Sequence, residues 1–471
     1  MADLALNAVF VRSSNDDLQF SASKVVRGPA GEQLCSLSAS LQQYATLGFQ
    51  ATHFAHAAAI CRKMLQPQPP SASLGQLTEA DGAAENEEAL LSPSLVQPTI
   101  FLGVTANLFG TGCREAIRFL CAECVPLPDG VLPAVKSDET PMTGSGNNDG
   151  TMPLYPPHLS KALIHALVVS GGAMEHDIRR ACEPYYITKY GGGDAAQSPQ
   201  QQQAAATAGE AGARFGNISY GGSGGGQDSF MFSSVMRRLV SRLIEEQKRC
   251  KAASAAKPAP TAYENVCTWS FGPSAVWYLA GRWLPELFTE ALLERNMGEV
   301  GSVADEAQRR AESTVLYWAA KNGVSIFSPS FVDGDVMKFV LAMDNSTSAM
   351  LKLDLVADIY RLNTLAMRSQ RTGMIILGGG VVKHHVCNAN LMRNGADFTV
   401  FINNGQEFDG SDAGARPEEA ISWGKIRLDG EYAKVYAEVS LVFPLLVAQA
   451  FLPWVRAARG LPQVEQGGEH A

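Results

Sequence analysis

Several large functional classes are excluded by what this chain lacks. It has no excess of positive charge: 38 lysines and arginines stand against 47 aspartates and glutamates, giving a net charge of -9 and a pI near 5.5. That balance argues against a nucleic-acid partner and leans toward a cationic substrate or a basic protein partner. Cys121 and Cys124 form one CxxC with no second pair to complete a zinc tetrahedron, so they read as packing residues. The nine cysteines are odd in number and irregularly spaced, mostly within apolar runs, as expected of reduced thiols in a cytoplasmic protein. The N-terminus lacks a charged-then-apolar signal pattern. The most apolar stretch, Leu441 to Val455, is about 15 residues long and carries Pro444 and Pro453, whereas a bilayer span needs ~20 residues. It predicts a buried C-terminal helix and no membrane partner.

What is present is enough for a large core: 471 residues, of which 46% are apolar. Three stretches interrupt the globular pattern, at about 66–92, 126–153 and 191–226, the last with poly-Gln, Ala and Gly-Ser runs. Their composition cannot bury enough apolar surface to offset ordering entropy, so they predict disordered surface insertions in a single domain spanning 1–471. Between them, short apolar runs alternate with helical periodicity. The runs are Thr99 to Val104, Ala162 to Ser170, Val324 to Ser328, Met374 to Leu377 and Phe398 to Ile402, with helices expected at Cys113 to Cys121 and Met174 to Cys182. The pattern predicts an α/β fold: a doubly wound, mostly parallel, Rossmann-like sheet with helices on both faces.

In such sheets ligands bind beyond the carboxyl ends of the strands. Polar or glycine-rich turns follow strands at Thr105-Ala106-Asn107, Ser170-Gly171-Gly172, Asp333-Gly334-Asp335, Gly378-Gly379-Gly380 and Asn403-Asn404-Gly405, and they should share one crevice. Glycine there lets a backbone approach a phosphate or a cofactor ring closely. No GxGxxG or Walker spacing accompanies these turns, so any one of them taken alone is a tight turn.

The densest chemistry runs from Gly378 to Lys425. Lys383-His384-His385 invites a metal reading, yet adjacent residues diverge on a helix and face opposite ways on a strand, which argues against a shared ion. A neutral histidine acting as proton acceptor is one reading, and one buried plus one solvated histidine is the other. Glu407, Asp409, Asp412, Glu418 and Glu419 form either a solvated acidic loop or the wall of a polyamine pocket, where carboxylates and an aromatic face would meet spaced ammonium groups. Lys425 follows Trp423 and Gly424. As a nucleophile it must be neutral; from a reference pKa of ~10.4, lowering it by about three units recovers roughly 4 kcal/mol of reactivity. Desolvation against Trp423 pushes that way and the acidic cluster pushes against it.

Taken together these segments resemble the deoxyhypusine synthases. The likeness is carried by GFQATHFAHA from Gly48, TIFLGVTANLFGTGCREAIRFL from Thr99, ARFGNI from Ala213 and YWAAKNGVSIFSPSFVDG from Tyr317. It is most specific in TGMIILGGGVVKHHVCNANLMRNGAD from Thr372 and QEFDGSDAGARPEEAISWGKIR from Gln406. The resemblance implies a tetramer in which NAD accepts a hydride from spermidine and the resulting imine is cleaved. The 4-aminobutyl group then passes through an enzyme lysine to one lysine of the translation initiation factor 5A precursor, and the products are deoxyhypusine and 1,3-diaminopropane. By motif position Lys425 is the nucleophile and His384 lies near the carbon losing hydride. Asp412, Glu419 and Trp423 match the polyamine pocket, with Asn388 and Leu391 beside it and Glu175, Gly410 and Ser411 also matching substrate positions. For NAD the matching positions are Ala106, Asn107, Gly110, Ser170, Gly171, Gly172, Asp333, Gly379, Asn404, Gly405, Glu438 and Val439.

The chain also departs from the family pattern. His176 stands where the family has a second glutamate, and Lys338 where it has a polyamine-binding aspartate. A buried lysine facing a polycation would be repulsive by several kcal/mol. Gly110 replaces serine, Asn404 threonine, Ala413 serine and Glu438 aspartate. Two readings follow: a catalytic subunit completed by a paralogous chain across an interface, in a homotetramer or heterotetramer, or a largely inactive regulatory or homospermidine-forming relative. The intact Trp423-Gly424-Lys425 favours the first.

Overall fold

The structure is a computed structural model, described for residues 25–71, 95–128, 130–132, 135, 154–156, 159–187, 213–221, 230–255, 269–295, 300–342 and 351–462. Six strands form the main sheet: β1 (Thr99–Val104), β2 (Ala166–Val169), β6 (Ser325–Phe327), β7 (Thr372–Leu377), β8 (Ala396–Asn403) and β9 (Ile426–Tyr436). Three short strands, β3 (Tyr186–Ile187), β4 (Ala213–Phe215) and β5 (Ile218–Tyr220), make a separate antiparallel sheet in the order β3-β5-β4.

Every pairing in the main sheet is parallel, and its order is β6-β2-β1-β7-β8-β9. Counted along the chain this is third, second, first, fourth, fifth, sixth, the order of a doubly wound dinucleotide-type sheet, with its switch point between β1 and β7. The expected α/β architecture is therefore the observed one. All residues of β1, β2, β6, β7 and β8 are buried, which is why their sequences read as continuous apolar runs. Period-two alternation splits them between two cores. Ile100, Leu102, Val104, Ile375 and Leu377 join one, while Phe101, Met374 and Ile376 join the other.

The first core is closed by α1 (Phe49–Leu65), α2 (Cys113–Ala122), α3 (Ala173–Cys182), α4 (Phe230–Ala255), α5 (Pro273–Glu294) and α6 (Val315–Asn322). The second is closed by α8 (Leu355–Arg368) and α9 (Val381–Leu391), while the short α7 (Val336–Leu341), which follows β6, packs its Val336, Phe339 and Val340 into the first core. Asp177 of α3, fully buried, ties three helices together. It accepts from Arg114 Nε at 2.6 Å and from the backbone N–H groups of Val315 and Leu316 at 3.1 and 2.9 Å, satisfying two donors at the start of α6.

One segment within an insertion is ordered, one expectation needs correction and one strand was missed. Residues 213–221 fall inside the third low-complexity stretch but form the β4–β5 hairpin, because Phe215, Ile218 and Tyr220 supply the apolar anchors that the flanking Gln and Gly runs lack. Most of the three insertions, including 72–94, 136–153 and 188–212, lies outside the described residues. The C-terminal apolar stretch is helical over Val439–Ala458, 20 residues with mean hydropathy 1.6, long and apolar enough by length and composition to cross a membrane, and only a third of it is buried. Val439, Phe443, Leu446, Ala450 and Phe451 face the core while Leu441 is 72% exposed, so the stretch is an amphiphilic cover and not a buried rod. Finally β9, which leads away from Lys425, was not anticipated: its charged residues break the apolar pattern of the inner strands.

Candidate active site

The conformation of Lys425 is fixed by a helix end. Helix α10 (Pro417–Ser422) starts with proline in its first turn and stops at Trp423, after which Gly424 turns left-handed at φ +72°. The Gly424 N–H donates to Ile421 O and the Lys425 N–H to Ala420 O, both at 2.8 Å, which is the paired bonding of a Schellman cap. The Lys425 carbonyl then accepts from Ala396 N at 3.1 Å and opens β9. Trp, Gly and Lys are therefore consecutive for a geometric reason: cap, left-handed turn, strand entry. Lys425 Nζ sits 5.8 Å from the Trp423 ring centroid.

Lys425 lines an open cleft of about 860 Å³ with His384, Asn388 and Leu391 of α9, Gly410, Ser411 and Asp412 of the loop after β8, and Glu419 and Trp423 of α10. Every proposed catalytic and substrate residue except Glu175 is thus brought to one place. His384 is half exposed toward the cleft, its Nε2 3.6 Å from Asp412 Oδ2. His385, one step around the helix, is largely buried, and burial lowers its pKa to about 4. The two imidazoles are not near-equivalent ligands; one is structural and one faces the cleft.

The acidic segment sorts itself in the same way. Glu407 pairs with Arg416 at 2.5 Å and accepts from the Tyr436 hydroxyl at 2.6 Å, and Asp409 accepts from Ser411 N at 2.7 Å. Glu418 accepts from the Tyr432 hydroxyl at 3.3 Å. Asp412 differs: its Oδ2 is buried with no hydrogen-bond partner among the described residues, although Lys383 Nζ is 3.9 Å away. Glu419 is exposed in the cleft with no ion pair among the described residues. Asp412 and Glu419 are the two carboxylates left to meet a cationic ligand.

Two buried lysines, which the sequence reading gave no role, hold this loop. Lys383 of α9 donates to the carbonyls of Asp412 and, at 3.3 Å, Ala415; Lys434 of β9 donates to Gly414 O at 2.5 Å and Ala415 O at 3.5 Å. Burial lowers the pKa of both. The fit beneath the loop is close: a Cβ on Gly379 would stand 2.3 Å from Ala413 Cβ, so only glycine there lets the loop rest on the β7 turn.

Comparison with known proteins identifies the family. The sequence profile of deoxyhypusine synthase matches residues 40–125 and 204–450. The chain is 57% identical to the deoxyhypusine synthase of Trypanosoma brucei brucei, covering 98% of each chain, and 38% identical to that of Leishmania donovani, covering 98% of this chain and 95% of the other. It is 32% identical to that of Caenorhabditis elegans over 88% and 85%.

The chain belongs to the deoxyhypusine synthase family.

It is accordingly an enzyme of the transferase class. Within a deoxyhypusine synthase fold the remaining matched positions line the carboxyl edge of the sheet. The Ala106 N–H donates to Ser170 Oγ at 2.8 Å and the Gly171 N–H to Ser330 Oγ at 3.0 Å, which links the turns after β1, β2 and β6. Asn107, Asp333 and Asn404 are exposed on that edge, and the Gly405 N–H donates to Asn403 Oδ1 at 3.1 Å. Glu438 caps the helix beginning at Val439 by accepting from Leu441 N at 3.1 Å. Glu175, matched to the substrate site, is elsewhere: it is 5% exposed and both its oxygens accept backbone N–H groups, of Asp335 and Val336, at 2.7 Å. Burial raises its pKa to about 7. It caps α7 and does not line the Lys425 cleft; neither do His176 and Lys338.

Proposed function

We propose that this chain, in the cytoplasm, transfers the 4-aminobutyl group of spermidine to one lysine of the translation initiation factor 5A precursor, with Lys425 carrying the group between them. The observation that most supports this is the company Lys425 keeps: Asp412, whose Oδ2 has no hydrogen-bond partner among the described residues although Lys383 and His384 stand within 4 Å, an exposed Glu419, an indole face and a cleft-facing imidazole in one cavity. A polyamine presents ammonium groups on an apolar stem, which suits carboxylates at spaced positions beside an aromatic ring. Once a spermidine amine has been oxidised to an imine, the neutral Lys425 amine adds to its carbon and 1,3-diaminopropane leaves. The acceptor lysine then displaces Lys425 from the butyl imine, and the hydride removed from spermidine at the outset would have to return to that carbon, chemistry that bound NAD would supply, to leave the saturated aminobutyl-lysine. His384, held toward Asp412, is positioned to take the proton from the reacting amine nitrogen.

NAD is the oxidant that family membership suggests, and its fit to this chain is incomplete. Asn107, Asp333, Asn404 and Glu438 offer polar groups along the carboxyl edge at the switch point, but the corner at Gly110 and His176 is filled by aromatic rings. The chemistry assigned to this chain is therefore confined to the Lys425 cleft. The same separation favours a paired enzyme over an inactive relative: the altered positions His176 and Lys338 lie away from the cleft of their own chain, so a paralogous subunit in a heterotetramer can supply what they spoil.

The test is trapping. The protein is incubated with NAD, labelled spermidine and any paralogous subunit, reduced with borohydride and mapped by peptide. Label is expected on the peptide of Lys425, and Lys425→Arg should retain on the order of 1% or less of it, a loss of roughly 3 kcal/mol in transition-state stabilisation. Label on Lys383 instead would overturn the assignment.

A further inference from the structure

Two of the departures from the family pattern, Gly110 and His176, sit on one structural feature. Gly110 ends the turn that follows β1, and His176 lies in the first turn of α3 after β2. The small sheet β3-β5-β4 places Phe215 between them. A Cβ on Gly110 would stand 2.1 Å from Phe215 Cζ, so no side chain, serine included, fits at 110 while that ring is present. On its other side Phe215 meets the His176 ring at 5.3 Å between centroids. His176 Nδ1 pairs with the Tyr185 hydroxyl at 2.8 Å, and Tyr185 stacks on Tyr220 at 4.6 Å with 13° between planes. The Arg179 guanidinium lies 5.1 Å from the Tyr220 ring centroid and 3.7 Å from that of Phe232.

The cluster is internally satisfied. Its one imidazole is bonded within it, its rings stack on one another or on a cation, and burial together with the nearby Arg179 and Arg180 guanidiniums lowers the His176 pKa to about 4, keeping that imidazole neutral. The small residue at 110 and the aromatic ring at 215 are therefore coupled, and His176 packs against the same ring.

We propose that the small sheet is a fixed aromatic cap over the carboxyl ends of β1 and β2, in which Phe215 occupies the space a dinucleotide would need against the Gly110 turn, so that this chain's own crevice is closed to NAD. The inference rests on the reading of that crevice as the family's dinucleotide site. It gives the open fit there a cause in this chain's own residues: the cap, and not the loss of the sheet geometry, is what excludes the ligand.

The experiment titrates NAD into the purified full-length wild type, Phe215→Ala and the milder Phe215→Leu, by calorimetry, with thermal unfolding as a check on folding. The wild type is expected to show no saturation at millimolar NAD, and at least one of the two variants to bind roughly tenfold or more tightly. Amide exchange over Thr105 to Gly112 should accelerate in the same variant, a readout independent of any activity. Saturable binding by the wild type equal to that of the variants overturns the cap, as does failure of both folded variants to gain binding. The cofactor reading is judged separately, by whether transfer activity of the wild-type assembly requires NAD. Activity that needs NAD together with variants that gain no binding refutes the cap alone, whereas activity without NAD refutes the reading beneath it.

Discussion

At the scale of single residues, the site depends on buried lysines as much as on the exposed one. Lys383 is 2% exposed and Lys434 6%, and their ammonium groups hold the loop that carries Asp412 by its carbonyls. Neither touches the open part of the cleft, so they are positioning residues. Lys383→Met keeps most of the stem and removes the donor. It should raise the KM for spermidine roughly tenfold, about 1.4 kcal/mol, with a smaller change in kcat and little change in thermal midpoint. A fall in kcat with KM unmoved would instead place Lys383 in the chemistry. These residues also show where sequence reading stopped. Lys425 was legible because Trp423, Gly424 and the acidic segment before them give it a distinctive neighbourhood, whereas Lys383 read as part of a Lys-His-His run and Lys434 drew no reading at all. Burial of a charged side chain is a property of its surroundings, and one-dimensional pattern carries no sign of it.

Among elements, the inner strands were readable and the edges were not. Thr99–Val104 was bounded correctly because all six residues are apolar or small and buried on both faces. The run Ala162 to Ser170 was read too long, since only Ala166–Val169 pairs with β1 and the residues before it enter as an irregular, buried approach. Glu175 was assigned by family resemblance alone; its use as a cap for a helix more than 150 residues later depends on topology and has no signature in the local sequence. Asp177 performs the same kind of service and can be tested. It is a buried anion paired with Arg114 and bonded to the first N–H groups of α6. Asp177→Ala leaves the Arg114 charge without its partner and should cost about 3–5 kcal/mol. Denaturant unfolding should show this as a lower midpoint at unchanged slope. Asp177→Asn, which retains acceptors for the N–H groups, should cost less; equal losses would mean that the charge pair contributes nothing beyond the caps.

For the whole molecule the decisive fact is that the cleft is open. A lysine nucleophile has to be uncharged, and the dry surroundings anticipated from Trp423 are not provided by this chain: that indole is 64% exposed and Met392, also lining the cleft, 53%. Water that reaches Lys425 stabilises its ammonium form and hydrolyses imines, so a productive site needs a cover. The covering surface has to be apolar where it meets Trp423 and must not bring another cation to Asp412 and Glu419. We expect a second subunit to provide that cover. If a second copy of this same chain covered the cleft with its crevice edge, Lys338 and Arg179, which lie near each other there, would bring cations toward it. The expectation is that the chain alone transfers aminobutyl groups slowly at any concentration, and that a paralogous subunit with an acidic residue at the position of Lys338 raises turnover by about two orders of magnitude, the scale on which exclusion of water and correct positioning act. Turnover measured with and without that subunit decides it. Comparable rates would mean that the cleft is closed by something this chain already has, and the exposed indole would then have to be covered by the protein acceptor itself.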